Sequence, residues 1–201
     1  MEPLSVGVHS VSTLAQLKTG QTIAVWGAGP VGLLCMAVAK ALGASRIVAV
    51  DINRARLDFA KRYAATDVFE PPALNSSENK VEYSKRSAEA LKQALGIKDR
   101  GPTAIDAVIE ASGAEVSIQT ALFVVKTGGT YVQVRRSVMC VYNSDLCSQV
   151  GMGIAEVVIP ITMLLVKELN VKGSFRYGVS FSSLLSSQVY PAQFTRLTPA
   201  W

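Results

Sequence analysis

Residues Thr22–Gly32 read T-I-A-V-W-G-A-G-P-V-G, and the rest of the chain falls into place around them. Thr22 to Trp26 is a short, mostly apolar run, which reads as a buried strand. Gly27-x-Gly29-x-x-Gly32 then opens a helix expected over Val31–Leu42. A second apolar run, Arg46–Val50, follows and ends on Asp51. Strand, spaced glycines, helix, second strand and acid in this order form a dinucleotide-binding fingerprint. Gly27 permits the tight turn, Gly29 lets backbone approach a pyrophosphate, and Gly32 lets the helix pack on the strand. The unpaired N–H groups of the helix start, with its dipole, attract phosphate. Asp51 lies nineteen residues beyond Gly32, where a carboxylate can bind ribose hydroxyls. The competing reading of the glycines, a tight turn with no ligand, accounts for neither the second strand nor the acid.

Downstream, Ile52–Tyr63 reads as a helix with Asn53 as its N-cap and Leu57, Phe59 and Ala60 as its apolar face. Arg54 and Arg56 belong either to a solvated basic face or alongside an adenosine. A short strand is expected at Asp67–Phe69. Asn75–Lys85 is polar and aperiodic, so it reads as an exposed loop or a frayed helix start, with a helix over Ala88–Leu95. Ala104–Ala111 is the fourth strand and Glu115–Val125 a helix ended by Thr127-Gly128-Gly129. Thr130–Val134 is the fifth strand, Ile154–Pro160 a candidate short strand, Ile161–Val166 a helical turn or two, and Leu169–Phe175 the sixth strand. This alternation predicts an α/β, Rossmann-type, doubly wound parallel sheet of about six strands with helices on both faces. Residues 1–20 form a lead-in segment with a helix within Pro3–Leu17, on the spacing of Leu4, Val8, Val11 and Leu14. Residues 21–178 form the nucleotide-binding domain and 179–201 a tail with no clear period.

Composition narrows the function classes. With 201 residues and 49% hydrophobic content, the chain can bury the core of one domain or slightly more. Its net charge of +5 is scattered, with no basic block beyond Arg135-Arg136, which argues against nucleic-acid binding. Cys35, Cys140 and Cys147 form no CxxC pair, which fits a reducing, cytoplasmic setting. No signal peptide is read before the first strand. The apolar run Val157–Val166 is too short to span a bilayer and contains Pro160, so no membrane partner is expected. His9 is the single histidine of the chain and reads as a packed or surface helix residue rather than a metal ligand.

Several stretches carry a resemblance to a known family: E-P-L-S-V-G-V-H at Glu2–His9, W-G-A-G-P-V-G-L-L at Trp26–Leu34, A-V-D-I-N-R-A-R-L-D-F-A-K at Ala49–Lys61, A-S-G-A-E-V-S-I-Q-T at Ala111–Thr120, T-G-G-T-Y-V-Q at Thr127–Gln133 and K-E-L-N-V-K-G-S-F-R-Y-G at Lys167–Gly178. Together they resemble the cofactor half of the zinc-dependent polyol dehydrogenases, in the medium-chain alcohol dehydrogenase superfamily, xylitol and sorbitol dehydrogenases among them. The resemblance implies hydride transfer between NAD(H) and a polyol–ketose pair. It implies that Gly27, Gly29, Pro30, Val31 and Gly32 hold the pyrophosphate, that Asp51 binds the adenosine ribose and selects NAD over NADP, and that Arg56 lines the adenosine pocket. It further places Ala111 and Ser112 beside the cofactor, Val150, Gly151 and Met152 on the nicotinamide side, and Arg176 and Tyr177 near nicotinamide and substrate. Glu2 corresponds to a zinc-site glutamate, and Glu156–Pro160 to an edge strand that pairs with its copy in a homo-oligomer.

Three departures qualify these expectations. The family's Cys and His-Glu zinc ligands belong to an upstream barrel domain, and Glu2 alone is no zinc site; the chain by itself is expected to bind no zinc and to be inactive. Val134–Gln149 interrupts the family's V-Q-V-G-M-G pattern, and its removal restores Gln133-Val150-Gly151-Met152-Gly153. Valine codons begin with GT and a glutamine codon ends with AG, so the insert reads as an unspliced intron, expected to be unstructured; the alternative is a genuine loop with a cysteine pair at Cys140 and Cys147, which no metal-ligand spacing supports. From Val179 the family pattern is lost. The alternatives to a dehydrogenase part are a non-catalytic NAD-binding module and a nonfunctional misspliced product.

Overall fold

The computed structural model describes residues 2–75, 77–134 and 157–175. Strand β1, Thr22–Trp26, is buried along its whole length, as an apolar run covered on both faces must be. β2, Arg46–Val50, pairs with it in parallel on one side, placing Trp26 opposite Val50. β4, Ile105–Glu110, pairs in parallel on the other, placing Trp26 opposite Glu110. With β3 (Asp67–Phe69), β5 (Val125–Val134) and β6 (Asn170–Ser174), the sheet runs β3-β2-β1-β4-β5-β6, every pairing parallel. The chain winds outward from β1 in one direction and then in the other. The reversal leaves a crevice at the carboxyl ends of β1 and β4, where ligands of such sheets bind.

The alternation along β1 separates two cores. Ile23 and Val25 pack with Met36 and Val38 of α2 (Pro30–Ala41) and with Leu57 and Ala60 of α3 (Arg54–Tyr63). Ala24 and Trp26 face the opposite side, with Leu91 of α4 (Lys80–Leu95) and Ala121 and Leu122 of α5 (Glu115–Val124). The doubly wound sheet read from the sequence is the fold of the protein.

Local details differ from the sequence reading in four places. Asn53 caps α3 by accepting from the Arg56 N–H, as expected. Phe59, however, is 47% exposed and stacks on Tyr63 instead of joining Leu57 and Ala60 in the core, because residues two apart on a helix do not share a face. α4 starts at Lys80, well before the expected Ala88, because Asn79 and Glu82 form a reciprocal capping box that secures its polar first turns. Thr127-Gly128-Gly129 lies inside β5 rather than ending a helix. The pairing shifts from Ile105–Val125 to Ala107–Thr130, a bulge in which Gly128 takes φ +72 and a Cβ on Gly129 would sit 2.6 Å from Val125. Lastly, Val157–Pro160 forms no strand. The Val158 N–H donates to Glu115 at 3.3 Å and its carbonyl accepts from Gln119 at 2.6 Å, so α5 side chains occupy the groups that a ladder would need.

The lead-in segment is built into the core. α1, Glu2–Val8, continues as a π-helical turn over His9–Leu14. Val6 and Val11 are buried with Cys35 and Met36 of α2, and Gly7 approaches so closely that an added Cβ would lie 3.2 Å from the Leu34 carbonyl carbon. Lys172 of β6 donates to Leu14 O at 2.8 Å and the Ser10 hydroxyl donates to Ser174 Oγ of β6 at 3.2 Å, so the π-helical turn and the last described strand hold each other. A short helix, α6 (Ile161–Val166), leads into β6.

Candidate functional site

The crevice at the switch point is a cavity of about 350 Å³, and Gly27, Gly29, Pro30, Val31 and Gly32 form one side of it. Gly27 takes φ +89, a left-handed conformation that only glycine adopts freely, and its N–H continues the sheet by donating to Val50 O at 2.8 Å. A Cβ on Gly32 would lie 1.8 Å from the Gly27 carbonyl oxygen, so no side chain fits there. A Cβ on Gly29 would meet nothing within 4 Å of it; the space that it would fill is part of the cavity. Pro30, the first residue of α2, brings no N–H, and the N–H groups of Val31 and Gly32 have no intrahelical acceptor. Glycine turn and helix start together make a cradle suited to a phosphate.

Asp51 closes the adjacent side. It is 9% exposed, and both carboxylate oxygens are held by backbone: Oδ2 accepts from the Ala28 N–H at 2.7 Å, Oδ1 from the Asn53 N–H at 2.8 Å. A carboxylate has about four acceptor positions, so capacity for ribose hydroxyls remains. Arg56 also lines the cavity, its Nη1 4.0 Å from Asp51 Oδ2, whereas Arg54 pairs outward with Asp58 at 3.2 Å. Of the two arginines, Arg56 is therefore the one at the site.

Ala111 and Ser112 form the far wall. A Cβ on Gly27 would come within 3.0 Å of Ser112 N and 3.1 Å of the Ala111 carbonyl carbon, so the two turns touch. The sequence reading missed what anchors this wall. Glu110, the last residue of β4, is 0% exposed. Its carboxylate accepts from Ser112 N and Gly113 N, each at 3.0 Å, from the Ser112 hydroxyl, and from Gln133 Nε2 at 2.7 Å. The Tyr131 hydroxyl donates in turn to Gln133. Burial pushes the Glu110 carboxyl above its usual range, against the lowering effect of the Ser112 and Gln133 hydrogen bonds. Burial likewise raises the Tyr131 phenol. An acid closing the apolar run A-I-D-A-V-I-E was the legible signal.

Also unforeseen were Ile52, 82% exposed beside Asp51, Pro71 beyond β3, and Val116 and Ser117 of the first turn of α5, all of which line the cavity. Val150, Gly151, Met152, Arg176 and Tyr177 lie outside the described residues, as do 135–149 of the insert and the tail. Glu2 opens α1, but its side chain is not described. Among the described residues no group of three or more His, Cys, Asp or Glu could hold a metal ion, and no helix is long and apolar enough to cross a membrane.

A parallel 3-2-1-4-5-6 sheet with a glycine cradle and an acid at the switch point defines a nucleotide-binding α/β domain. Residues 30–137 match the family described as zinc-binding dehydrogenase, and the chain belongs to that family. It is similar to D-xylulose reductase A of Aspergillus niger, 48% identical over 178 residues, which covers 89% of this chain and 42% of the relative. The chain therefore spans less than half the length of the curated relatives it matches. Among solved structures it resembles L-idonate 5-dehydrogenase from Escherichia coli, with a TM-score of 0.64, 27% identity, 92% of this chain covered and 43% of that one. It also resembles a structure described as a zinc-binding dehydrogenase from Sinorhizobium meliloti bound to NADP, with a TM-score of 0.60, 26% identity, 87% of this chain covered and 43% of that one.

Proposed function

We propose that this chain is the NAD(H)-binding part of a dehydrogenase that interconverts a polyol of the xylitol type and its ketose. The observation that carries the reading is Asp51. Its carboxylate is buried at the end of β2, lines the cavity, and is held by Ala28 and Asn53, so turning it aside for a 2′-phosphate would cost two backbone hydrogen bonds. A phosphate there would meet a fixed like charge. NADP is the second reading, favoured by Arg56 at 4.0 Å from that carboxylate and by the NADP bound in the Sinorhizobium meliloti structure. The half-exposed Arg56 offers only a weak, screened attraction.

The nicotinamide, when bound, supplies the hydride chemistry. The residues of this chain bind and orient the dinucleotide: Val31 and Gly32 through their N–H groups, Gly29 by leaving room, and Asp51 through its remaining acceptor positions. The polyol and its activation by zinc belong in this proposal to the length of the relatives that this chain does not span, with Glu2, at the start of α1, as this chain's own contribution to that zinc site. Residues 21–178 are the nucleotide domain, 134–149 an insertion and 179–201 a divergent tail. A cytoplasmic, reducing setting is part of the same reading. So is association with a second copy through the stretch Glu156–Pro160, in which Val158 is 66% exposed.

An NADH absorbance assay tests the catalytic part. The purified chain with excess zinc and a panel of polyols should give no rate above the no-enzyme control. Joining the upstream zinc-binding part of a D-xylulose reductase, deleting residues 134–149 and restoring the family's ending after Gly178 should give turnover. A rate from the chain alone, abolished by Asp51→Ala, would overturn the division of labour.

A further inference from the structure

Glu110 is buried in a place where burial is expensive. The groups facing its carboxylate among the described residues are hydrogen-bond donors rather than cations: two backbone N–H groups, a hydroxyl and an amide. A buried carboxylate without a cationic partner is costly. One residue pair earlier on the same face, β4 carries Val108 in the same core, so stability alone would be served by an apolar side chain.

What the carboxylate achieves is geometric. It gathers the successive N–H groups of Ser112 and Gly113, bending the chain sharply beyond β4, with Gly113 at φ +74. Gln133, its register partner on β5, grips it from the other side and is itself oriented by Tyr131. The bend presses the Ala111–Ser112 peptide against the Gly27 turn, and both surfaces line the cavity. Asp51 acts comparably on the opposite wall, where it holds Ala28 and Asn53.

We propose that Glu110 is a positioning residue of the nucleotide site: by holding the Ser112 and Gly113 N–H groups, it fixes the Ala111–Ser112 wall against the Gly27 turn and sets the width of the crevice between β1 and β4. The proposal rests on the dinucleotide reading above and deepens it. Glu110 touches no ligand itself; it acts through the wall.

Calorimetric titration of the full chain with NAD and with AMP, in wild type, Glu110→Gln and Glu110→Asp, tests it, with unfolding followed in parallel. AMP engages the Asp51 and Arg56 end; NAD also needs the wall. The expected result is AMP affinity within about twofold of wild type and NAD affinity about tenfold weaker in both variants, the shortened aspartate failing to rescue. Unchanged NAD affinity in folded variants, or equal losses for AMP and NAD, would overturn the positioning role. A wild-type chain that binds neither probe removes the dinucleotide reading and this proposal with it. Should the variants not fold, amide hydrogen exchange on the wild type decides. Slow exchange at Ser112 and Gly113 without nucleotide, unchanged on loading, supports the role, and fast exchange in the free protein overturns it.

Discussion

The carboxylate of Asp51 accepts the backbone N–H of Ala28 at 2.7 Å, which joins the end of β2 to the middle of the glycine turn after β1. The residue expected to select the cofactor thus also holds the loop expected to bind its phosphates. Asp51→Ala should lose both functions. Removing a buried charged acceptor of two backbone N–H groups should lower stability by about 1.5–3 kcal/mol and weaken nucleotide binding, as measured by urea unfolding and calorimetry on one preparation. A variant with wild-type stability would contradict the anchoring role.

Gly29 and Gly32 separate binding from folding. At Gly29 an added methyl meets nothing but the cavity, so Gly29→Ala should leave the melting temperature within about a degree or two and cut nucleotide affinity sharply. At Gly32 the methyl would overlap the Gly27 oxygen at 1.8 Å, so Gly32→Ala should destabilise the fold by several kcal/mol, on the order of the larger overpacking penalties. Thermal scans of both variants check the contrast.

Arg46 links three elements: its Nε pairs with Asp67 at 2.9 Å and its Nη2 donates to Leu95 O at 2.9 Å. The Arg46 hydrogen bond, partly opposed by burial, holds the Asp67 carboxyl below its usual value. A carboxyl lowered on folding contributes stability above its unfolded pKa and loses it as pH falls through the folded one. Asp67→Asn should therefore cost about 0.5–1 kcal/mol at neutral pH, and the deficit should shrink below pH ~4. Urea titrations across that range would show it; a deficit independent of pH would not fit.

Cys35 reports on the lead-in helix. It is fully buried beneath α1, and desolvation pushes its thiol up to about 12. It should resist alkylation in the intact chain and become reactive when residues 1–17 are removed, since Val6 and Val11 then no longer cover α2. Peptide mapping by mass spectrometry resolves Cys35 from the other two cysteines.

The strands at Thr22–Trp26, Arg46–Val50 and Asp67–Phe69 were legible in the sequence because each is a short run, largely apolar, between breakers. Gly27 and Gly32 were legible because a tight turn and a close packing contact each demand glycine at one place, and Asp51 because an acid directly after an apolar strand stands out; the structure puts it at the cavity. The start of α4 was obscured by polar turns that only the Asn79–Glu82 cap betrays. Pro71, Val116 and Ser117 reach the cavity through sheet order, which local pattern does not encode. Glu110 was visible as an acid in an apolar strand, but its role depends on a turn whose geometry lies beyond the reach of periodicity.

The most direct test of the central claim is a pair of calorimetric titrations of the full chain, with NAD and with NADP, at one pH and ionic strength. A clamped Asp51 predicts NAD binding tighter by about tenfold or more, the scale of one unfavourable charge contact of roughly 1.4 kcal/mol. Equal affinities, or tighter binding of NADP, would contradict the account.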